Sequence, residues 1–174
     1  WLQRIPVLGP LLTIGRVAFP KSVEYGDIVR GLPLSSSTAK AVYCSHVLEH
    51  LARDDLQAAL RETYRVLNPG GTFRGVLPDL EYYCKAYVAE SSEDAAEHFM
   101  SGTLLGQRAR SRGLVRFLES TFGNSHHLWM WDYKGLARQL VRAGFKDVRR
   151  ATFGDSREPA FQAVEDENRW RNCL

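Results

Sequence analysis

Three side chains that can move protons or bind ligands follow a short apolar segment of the chain. Residues 41–45 have the compact apolar character of a buried strand, and His46, Glu49 and His50 come directly after them. Ligands of open parallel sheets bind beyond the carboxyl ends of the strands, so we expect Ser45 and His46 to face a crevice. His46 is then a candidate general base, because an unperturbed imidazole titrates near neutral pH. The alternative is a histidine that is only hydrogen-bonded at the end of a strand. From position alone, Glu49 and His50 are predicted to order the loop and the start of the next helix.

A second candidate region is the aromatic-rich segment 124–131, which contains His126 and His127. Its aromatic faces suit stacking against a sugar or apolar ring, and His127 is a candidate for removing a hydroxyl proton. In the alternative, Trp129 and Trp131 pack in the core and the histidines have no catalytic role. We predict no metal site, because these adjacent histidines lack a third ligand at suitable spacing.

A basic run lies upstream of this segment. It could bind a phosphate or a nucleotide sugar, or it could be a solvated face. Its members are Arg108, Arg110, Arg112 and Arg116.

The apolar pattern predicts the elements that would position these groups. Leu56, Leu60 and Tyr64 recur at helical spacing after Asp54, which is the expected N-cap with Gln57 as its capping-box partner. The helix should end at residues 68–71, where Pro and Gly cannot continue it. Further strands are predicted at 22–25, 72–77 and 148–153. Further helices are predicted at 80–88, with Asp79 as a candidate cap, and at 93–105, 114–119, 132–144 and 158–170. In the helix at 132–144, Asp132 is the expected N-cap, Gly144 the expected end, and Leu136, Leu140 and Val141 are expected to face inward.

Alternation of strands and helices with short connections predicts an α/β fold, a mostly parallel sheet flanked by helices. The length of 174 residues and the apolar content of 44% fit one domain. A net charge of +3 without a clustered basic face gives no sign of a nucleic-acid partner. Three cysteines without metal spacing suggest a reducing, cytoplasmic setting, and no apolar stretch approaches the roughly 20 residues that cross a membrane.

Several segments together resemble the class I S-adenosylmethionine-dependent methyltransferases, type 11-like. Residues 42–51 read Val-Tyr-Cys-Ser-His-Val-Leu-Glu-His-Leu, similar to the family's fourth strand and its Leu-Glu-His ending. Residues 65–71 read Arg-Val-Leu-Asn-Pro-Gly-Gly, similar to the family's Arg-Val-Leu-Lys-Pro-Gly-Gly. Gly26-Asp27-Ile28 with Leu32-Pro33 resembles the adenine-contacting loop, and Gly144-Phe145 resembles a late turn. Leu77-Pro78-Asp79-Leu80 and the tail with Asp155 and Glu165 resemble a bacterial subgroup of predicted methyltransferases whose members often accompany polysaccharide genes.

The resemblance implies a Rossmann-like fold and transfer of a methyl group from S-adenosylmethionine to a small-molecule or sugar acceptor by O- or N-methylation. It predicts cofactor contacts from Asp27, Ile28, Ser45, His46 and Glu49, with His46 and His127 as catalytic residues. Alignment and desolvation carry most of such a displacement, with a base added for a hydroxyl acceptor. The alternative is a non-catalytic methyltransferase-like domain that serves as a binding or scaffold module.

The chain departs from the family at both ends. The family's first strand, its glycine-rich loop and the acidic residue that follows are not seen before Asp27, and the chain stops where the last strand is expected. We therefore expect a trimmed chain whose first and last strands are missing. Either the first strand is disordered nearby, or the chain forms a homodimer through the exposed sheet edge. The expected single domain divides into an arm or lid at 1–21, a cofactor-side core at 22–78, a helical substrate-side insertion at 79–131 and a closing unit at 132–174.

Overall fold

The structure, a computed structural model, describes residues 23–106 and 126–174. The N-terminal arm, the predicted helix at 114–119 and the four arginines of the basic run lie outside these residues. Within them the strands are β1 (Ala39–Ser45) and β2 (Leu67–Val76), and the helices are α1 (Asp55–Val66), α2 (Leu80–Ala89), α3 (Ala95–Gly102) and α4 (Tyr133–Ala143). Short 3₁₀ helices span Leu48–His50, Pro159–Ala163 and Glu167–Trp170. No helix in the described ranges is long and apolar enough to cross a membrane.

The two strands pair in parallel and form a two-stranded sheet. Ala39 is the partner of Leu67, and Ala41 is the partner of Thr72, so extra residues of β2 bulge between these two points. The bulge contains Gly70 at φ 78° and Gly71, where a Cβ would lie 2.9 Å from the carbonyl oxygen of Asn68. The glycines predicted to end α1 therefore also let the chain turn at once into the sheet. The predicted parallel pairing of the strands that end near Ser45 and Leu77 is confirmed.

Helix α1 connects the strands and covers the sheet with Leu56, Ala59 and Leu60, which are almost fully buried. Its predicted capping box is wrong. Asp54 makes no side-chain hydrogen bond at the N-terminus, and the Gln57 amide nitrogen donates to the backbone oxygen of Gln139 at 3.0 Å. Gln57 therefore links α1 to α4. The core that joins the sheet, α1 and α4 consists of Cys44, Leu48, Leu56, Leu60, Leu77, Trp131, Leu136, Ala143 and Leu174.

Helix α2 begins where predicted, and Asp79 caps it by accepting from the Glu81 amide at 3.0 Å. Its predicted apolar face is not buried, since no residue of α2 is buried and Val88 is 82% exposed. Among the described elements, α2 packs mainly against α3. The short helix α3 cannot cover the whole apolar face of α2 that the sequence pattern defines.

Helix α4 has the predicted caps at both ends. Asp132 accepts from the Gly135 amide at 2.8 Å, and Gly144 takes the left-handed conformation at φ 107°. Leu136 is buried, but Val141 is 60% exposed, so its predicted inward position is wrong. Val141 lies about 140° around the helix from Leu136, which places it away from the core face.

Two predicted strands and one predicted helix are wrong. Residues 23–25 and 148–153 contain no strand. In the second segment the carbonyl oxygens of Val148 and Thr152 accept from the side chains of Tyr133 and Arg74, at 3.3 and 2.7 Å, and not from a neighbouring strand. The predicted helix at 158–170 is two 3₁₀ turns, because Asp166 accepts from the Asn168 amide and starts a new turn there.

Candidate functional site

The carboxyl ends of β1 and β2 lie side by side. Ser45 is the register partner of Val76, and the His46 amide donates to the carbonyl oxygen of Val76 at 2.8 Å. The Ser45 hydroxyl is buried and has no hydrogen-bond partner in the part of the chain that is described. Buried hydroxyl groups are normally paired, so an orphaned one at the end of a strand indicates a polar ligand or water.

The last residues of the chain cover these strand ends. The amides and carbonyls of Leu77 and Leu174 bond to each other at 3.3 and 2.9 Å, and the Asp79 amide donates to the carbonyl oxygen of Asn172 at 3.0 Å. Cys173 forms an antiparallel bridge with Pro78. No sequence pattern indicates this contact, which places residues 172–174 against the edge where an open crevice is expected.

His46 stands between two acceptors. Its Nδ1 lies 3.2 Å from Oε1 of Glu49, and its Nε2 lies 2.9 Å from the backbone oxygen of Arg169. The distance between His46 Nδ1 and Glu49 Oε1 is that of an ion pair, but the angle at this contact is unsuitable for a hydrogen bond. The Cys173 thiol, the Glu49 carboxylate and the Arg169 carbonyl together raise the pKa of His46 to about 10. Of these we give most weight to Glu49 and Arg169, because the thiol sulfur is 3.9 Å from the ring.

Glu49 is the centre of the cluster and is fully buried. Neither of its carboxylate oxygens has a hydrogen-bond partner among the described residues. Nε2 of His127 lies 4.0 Å from Oε1, and the Leu128 and Trp129 amides donate to the backbone oxygen of Glu49 at 2.8 and 3.1 Å. Burial, with a smaller contribution from the Glu49 charge, raises the pKa of the nearby Cys44 thiol to about 12. Cys44 is therefore a protonated core residue.

The rings of His50 and His127 meet beside Glu49. Their rings form an edge-to-face pair with centroids 5.1 Å apart, and His50 Nδ1 lies 3.0 Å from the backbone oxygen of His126. His127 is buried, and its Nδ1 has no partner in residues 23–106 or 126–174. Burial lowers the pKa of His127 although the Glu49 charge opposes this shift.

The cluster of His46, Glu49, His50 and His127 is named here the Glu49 cluster. The sequence predicts sites at His46 and His127, and the fold brings both to the same buried carboxylate. It also joins His50 to them, since one ligand atom each from Glu49, His50 and His127 lie within 4.8 Å of one another. Sequence reasoning missed this set, because it sought a third ligand near His126 and His127 and not some 77 residues upstream.

The hydrogen bonds of the predicted adenine loop are made with residues outside the Glu49 cluster. Oδ1 of Asp27 accepts from the Val29 and Arg30 amides at 2.9 and 3.0 Å, which is the geometry of a self-bonded turn. The Leu32 amide donates to Oε1 of Glu62 on α1 at 2.7 Å and so fixes the loop. Asp27 and Ile28 make no described contact with the Glu49 cluster.

The two tryptophans of the aromatic segment differ in burial. Trp131 belongs to the core and is 7% exposed, whereas Trp129 is 42% exposed and contacts it with ring centroids 6.0 Å apart. Trp131 also holds α2, because the Leu80 amide donates to its backbone oxygen at 3.0 Å. The expectation of two core anchors therefore holds for Trp131 only, and Trp129 offers an exposed aromatic face beside the cluster.

A comparison with protein families places part of this geometry in a known context. A family model described as a methyltransferase domain matches residues 14–74 of the 174. No curated protein matches the chain. The matched part contains β1, α1, most of β2 and the residues from Asp27 to Glu49 that we singled out as cofactor contacts. The match covers about a third of the chain and shows a likeness to methyltransferase domains over that part.

Proposed function

We propose that this protein transfers a methyl group from S-adenosylmethionine to a small-molecule or sugar acceptor. The observation that supports this most is the parallel alignment of Ser45 with Val76, directly before the Glu49 cluster. In open α/β sheets this edge is where ligands bind. The bound cofactor supplies an activated methyl group, and the protein supplies alignment and a dry environment.

The residues proposed to hold the cofactor are Asp27, Ile28, Ser45, His46 and Glu49. One feature of the structure fits a polar adenosyl ligand. The buried hydroxyl of Ser45 has no partner among the described residues and is available to such a ligand. Asp27 keeps Oδ2 for a ligand, since its two amide bonds use Oδ1, although Arg30 lies 3.7 Å from that oxygen.

For a hydroxyl acceptor, the proposed base is in the Glu49 cluster. Both ring nitrogens of His46 already face protein atoms, Glu49 Oε1 and the Arg169 carbonyl oxygen. His127 has an unpartnered Nδ1 within the described part of the chain, so it is the better placed of the two predicted catalytic residues. Exposed Trp129 would stack against the acceptor ring.

The remaining assignments rest on the sequence. We propose a cytoplasmic bacterial enzyme of the polysaccharide-associated subgroup. A homodimer through β1 is also proposed, because no described strand pairs with the edge of β1 opposite β2. Sheet edges that lack a partner favour pairing with another strand.

Calorimetric titration of S-adenosylhomocysteine tests the cofactor proposal. We expect binding, with at least a tenfold weaker dissociation constant in the Asp27→Asn and Ser45→Ala variants. Asp55→Asn, at the first turn of α1, is the matched control and should bind as the wild type does.

Absence of binding would contradict a methyltransferase and favour the scaffold alternative. If Asp27→Asn and Ser45→Ala bound the ligand as tightly as the wild type, the methyltransferase proposal would stand. The proposed cofactor contacts of Asp27 and Ser45 would then be wrong.

A further inference from the structure

The Glu49 carboxylate is in an unusual situation for a buried acid. It is fully buried, and its two oxygens have no hydrogen-bond partner in the described ranges. Moving a carboxylate out of water without compensation is costly, so buried carboxylates are normally paired or coordinate a metal ion. His46 gives charge compensation from one side only, at 3.2 Å from Oε1.

The hydrogen bond of His50 fixes which of its nitrogens is free. The backbone oxygen of His126 can only accept, so Nδ1 of His50 carries the proton and donates to it at 3.0 Å. Nε2 therefore keeps its lone pair. Histidines that bind metals almost always donate their other ring N–H to a carbonyl or carboxylate in this way.

The backbone around His127 is held on both sides. The His127 amide donates to the carbonyl oxygen of Leu104 at 3.3 Å, and the next two amides donate to the backbone oxygen of Glu49. The imidazole is buried, and its Nδ1 lacks a partner among the residues that the structure describes. The segment that carries His127 is thus attached to Glu49 before any ligand binds, which reduces the entropic cost of binding.

We propose that Glu49, His50 and His127 bind a divalent transition-metal ion. One ligand atom from each lies within 4.8 Å of the other two. Ligands of a tetrahedral zinc ion are about 3.3 Å apart, so the ligand atoms need to close by at most about 1.5 Å. Two imidazoles and one carboxylate suit Zn²⁺ and other first-row divalent ions.

Three protein ligands leave a coordination position open. In catalytic zinc sites that position holds water or substrate oxygen. An ion bound to His127 occupies the lone pair that His127 would use as a general base. In the ion-bound protein, a water bound to the ion takes over that role. This consequence rests on the proposed function, whereas the ion site itself does not.

Metal titration after chelation tests the site. The purified chain is treated with EDTA, dialysed, and titrated with Zn²⁺ by calorimetry, and retained zinc is counted by elemental analysis. We expect one tightly bound Zn²⁺ per chain and an increase in Tm. Co²⁺ in its place should give the strong visible absorption of a low-symmetry tetrahedral site. Affinity should fall at least tenfold in Glu49→Gln, His50→Gln and His127→Gln.

Matched controls separate this site from adventitious binding. His126→Gln changes the histidine next to His127 but keeps the backbone carbonyl that His50 uses, and His98→Gln removes an exposed histidine that pairs with Glu90. Both should bind Zn²⁺ as the wild type does. Because Glu49→Gln alters a buried residue, circular dichroism must show that this variant is folded. If it is not folded, the His50→Gln and His127→Gln variants provide the test.

Absence of stoichiometric Zn²⁺ in the wild type, or equal binding in all three ligand variants, would overturn the proposal. These outcomes are independent of cofactor binding, which is measured with S-adenosylhomocysteine in metal-free buffer.

Discussion

Nε2 of His46 lies 2.9 Å from the backbone oxygen of Arg169, 123 residues later in the chain. The contact joins the residue that follows β1 to the turn that precedes the C-terminal residues. It acts together with the paired backbone groups of Leu77 and Leu174 to hold the end of the chain over the sheet.

Replacing His46 by Ala should loosen this C-terminal segment. A hydrogen bond from a partly exposed side chain contributes about 1 kcal/mol, so exchange of the Leu174 amide should become roughly fivefold faster. Hydrogen exchange followed by mass spectrometry measures this, with His98→Ala as the control at an exposed site. Unchanged protection of residues 172–174 would mean that the backbone pairing with 77–79 suffices to hold them.

Replacing Arg74 by Leu should destabilise the protein strongly. The Arg74 side chain is 5% exposed, pairs with the buried carboxylate of Glu165 and with Asp155, and lies 4.5 Å from the centroid of the Trp170 ring. Removing it leaves Glu165 buried without its partner, which costs about 3–5 kcal/mol. Urea unfolding measures the loss. Arg149→Leu should cost much less, because that guanidinium is 58% exposed; equal losses would contradict a special role for burial.

Replacing Gly144 by Ala should be more harmful than the same change at Gly70. Both glycines have positive φ, 107° and 78°, where a Cβ costs roughly 1–2 kcal/mol. At Gly144 the Cβ would also lie 3.2 Å from the Tyr64 ring, whereas at Gly70 it would meet nothing within 4 Å. The difference in free energy of unfolding between the two variants, measured in urea, isolates the Tyr64 contact. Equal destabilisation would show that the ring moves aside without cost.

The elements defined by local chemistry were predictable from the sequence. The caps at Asp79, Asp132 and Gly144 and the apolar face of α1 depend on residues within a few positions of one another. The failures depend on distant partners. Residues 148–153 have strand composition, but ladder pairing requires a neighbouring strand, and side chains of Tyr133 and Arg74 bond the carbonyl oxygens of Val148 and Thr152 instead.

The same distinction applies to the site. Chemical type and position predict roles for His46 and His127, but for their shared neighbour Glu49 they predict only a loop-ordering or cofactor role. No local pattern indicates that His50 would turn its ring toward His127, because that contact depends on how the aromatic segment packs onto Glu49. Spacing rules for metal ligands fail when the third ligand comes from another part of the fold.

The attachment of the predicted adenine loop to α1 should depend on pH. Arg65, which bonds both oxygens of Glu62, and the Leu32 amide together lower the pKa of Glu62 from 4.5 to about 2. A carboxyl whose folded pKa is depressed stabilises the protein above its unfolded pKa, and this contribution is lost as the pH falls through the folded pKa. The loss should therefore occur between about pH 4.5 and pH 2.

Urea unfolding of the wild type and Glu62→Gln at a series of pH values measures this contribution. The wild type should be more stable above pH 5, and the difference should shrink steadily as the pH falls toward 2. Glu93→Gln, at an exposed position ahead of α3, is the control for removing one acidic charge. The difference should also fall at high salt, because the Arg65 side chain is 35% exposed and its attraction to Glu62 is partly screened. A difference that stays constant from pH 6 to pH 3 would show that the Glu62 side chain holds Leu32 equally well when it is protonated.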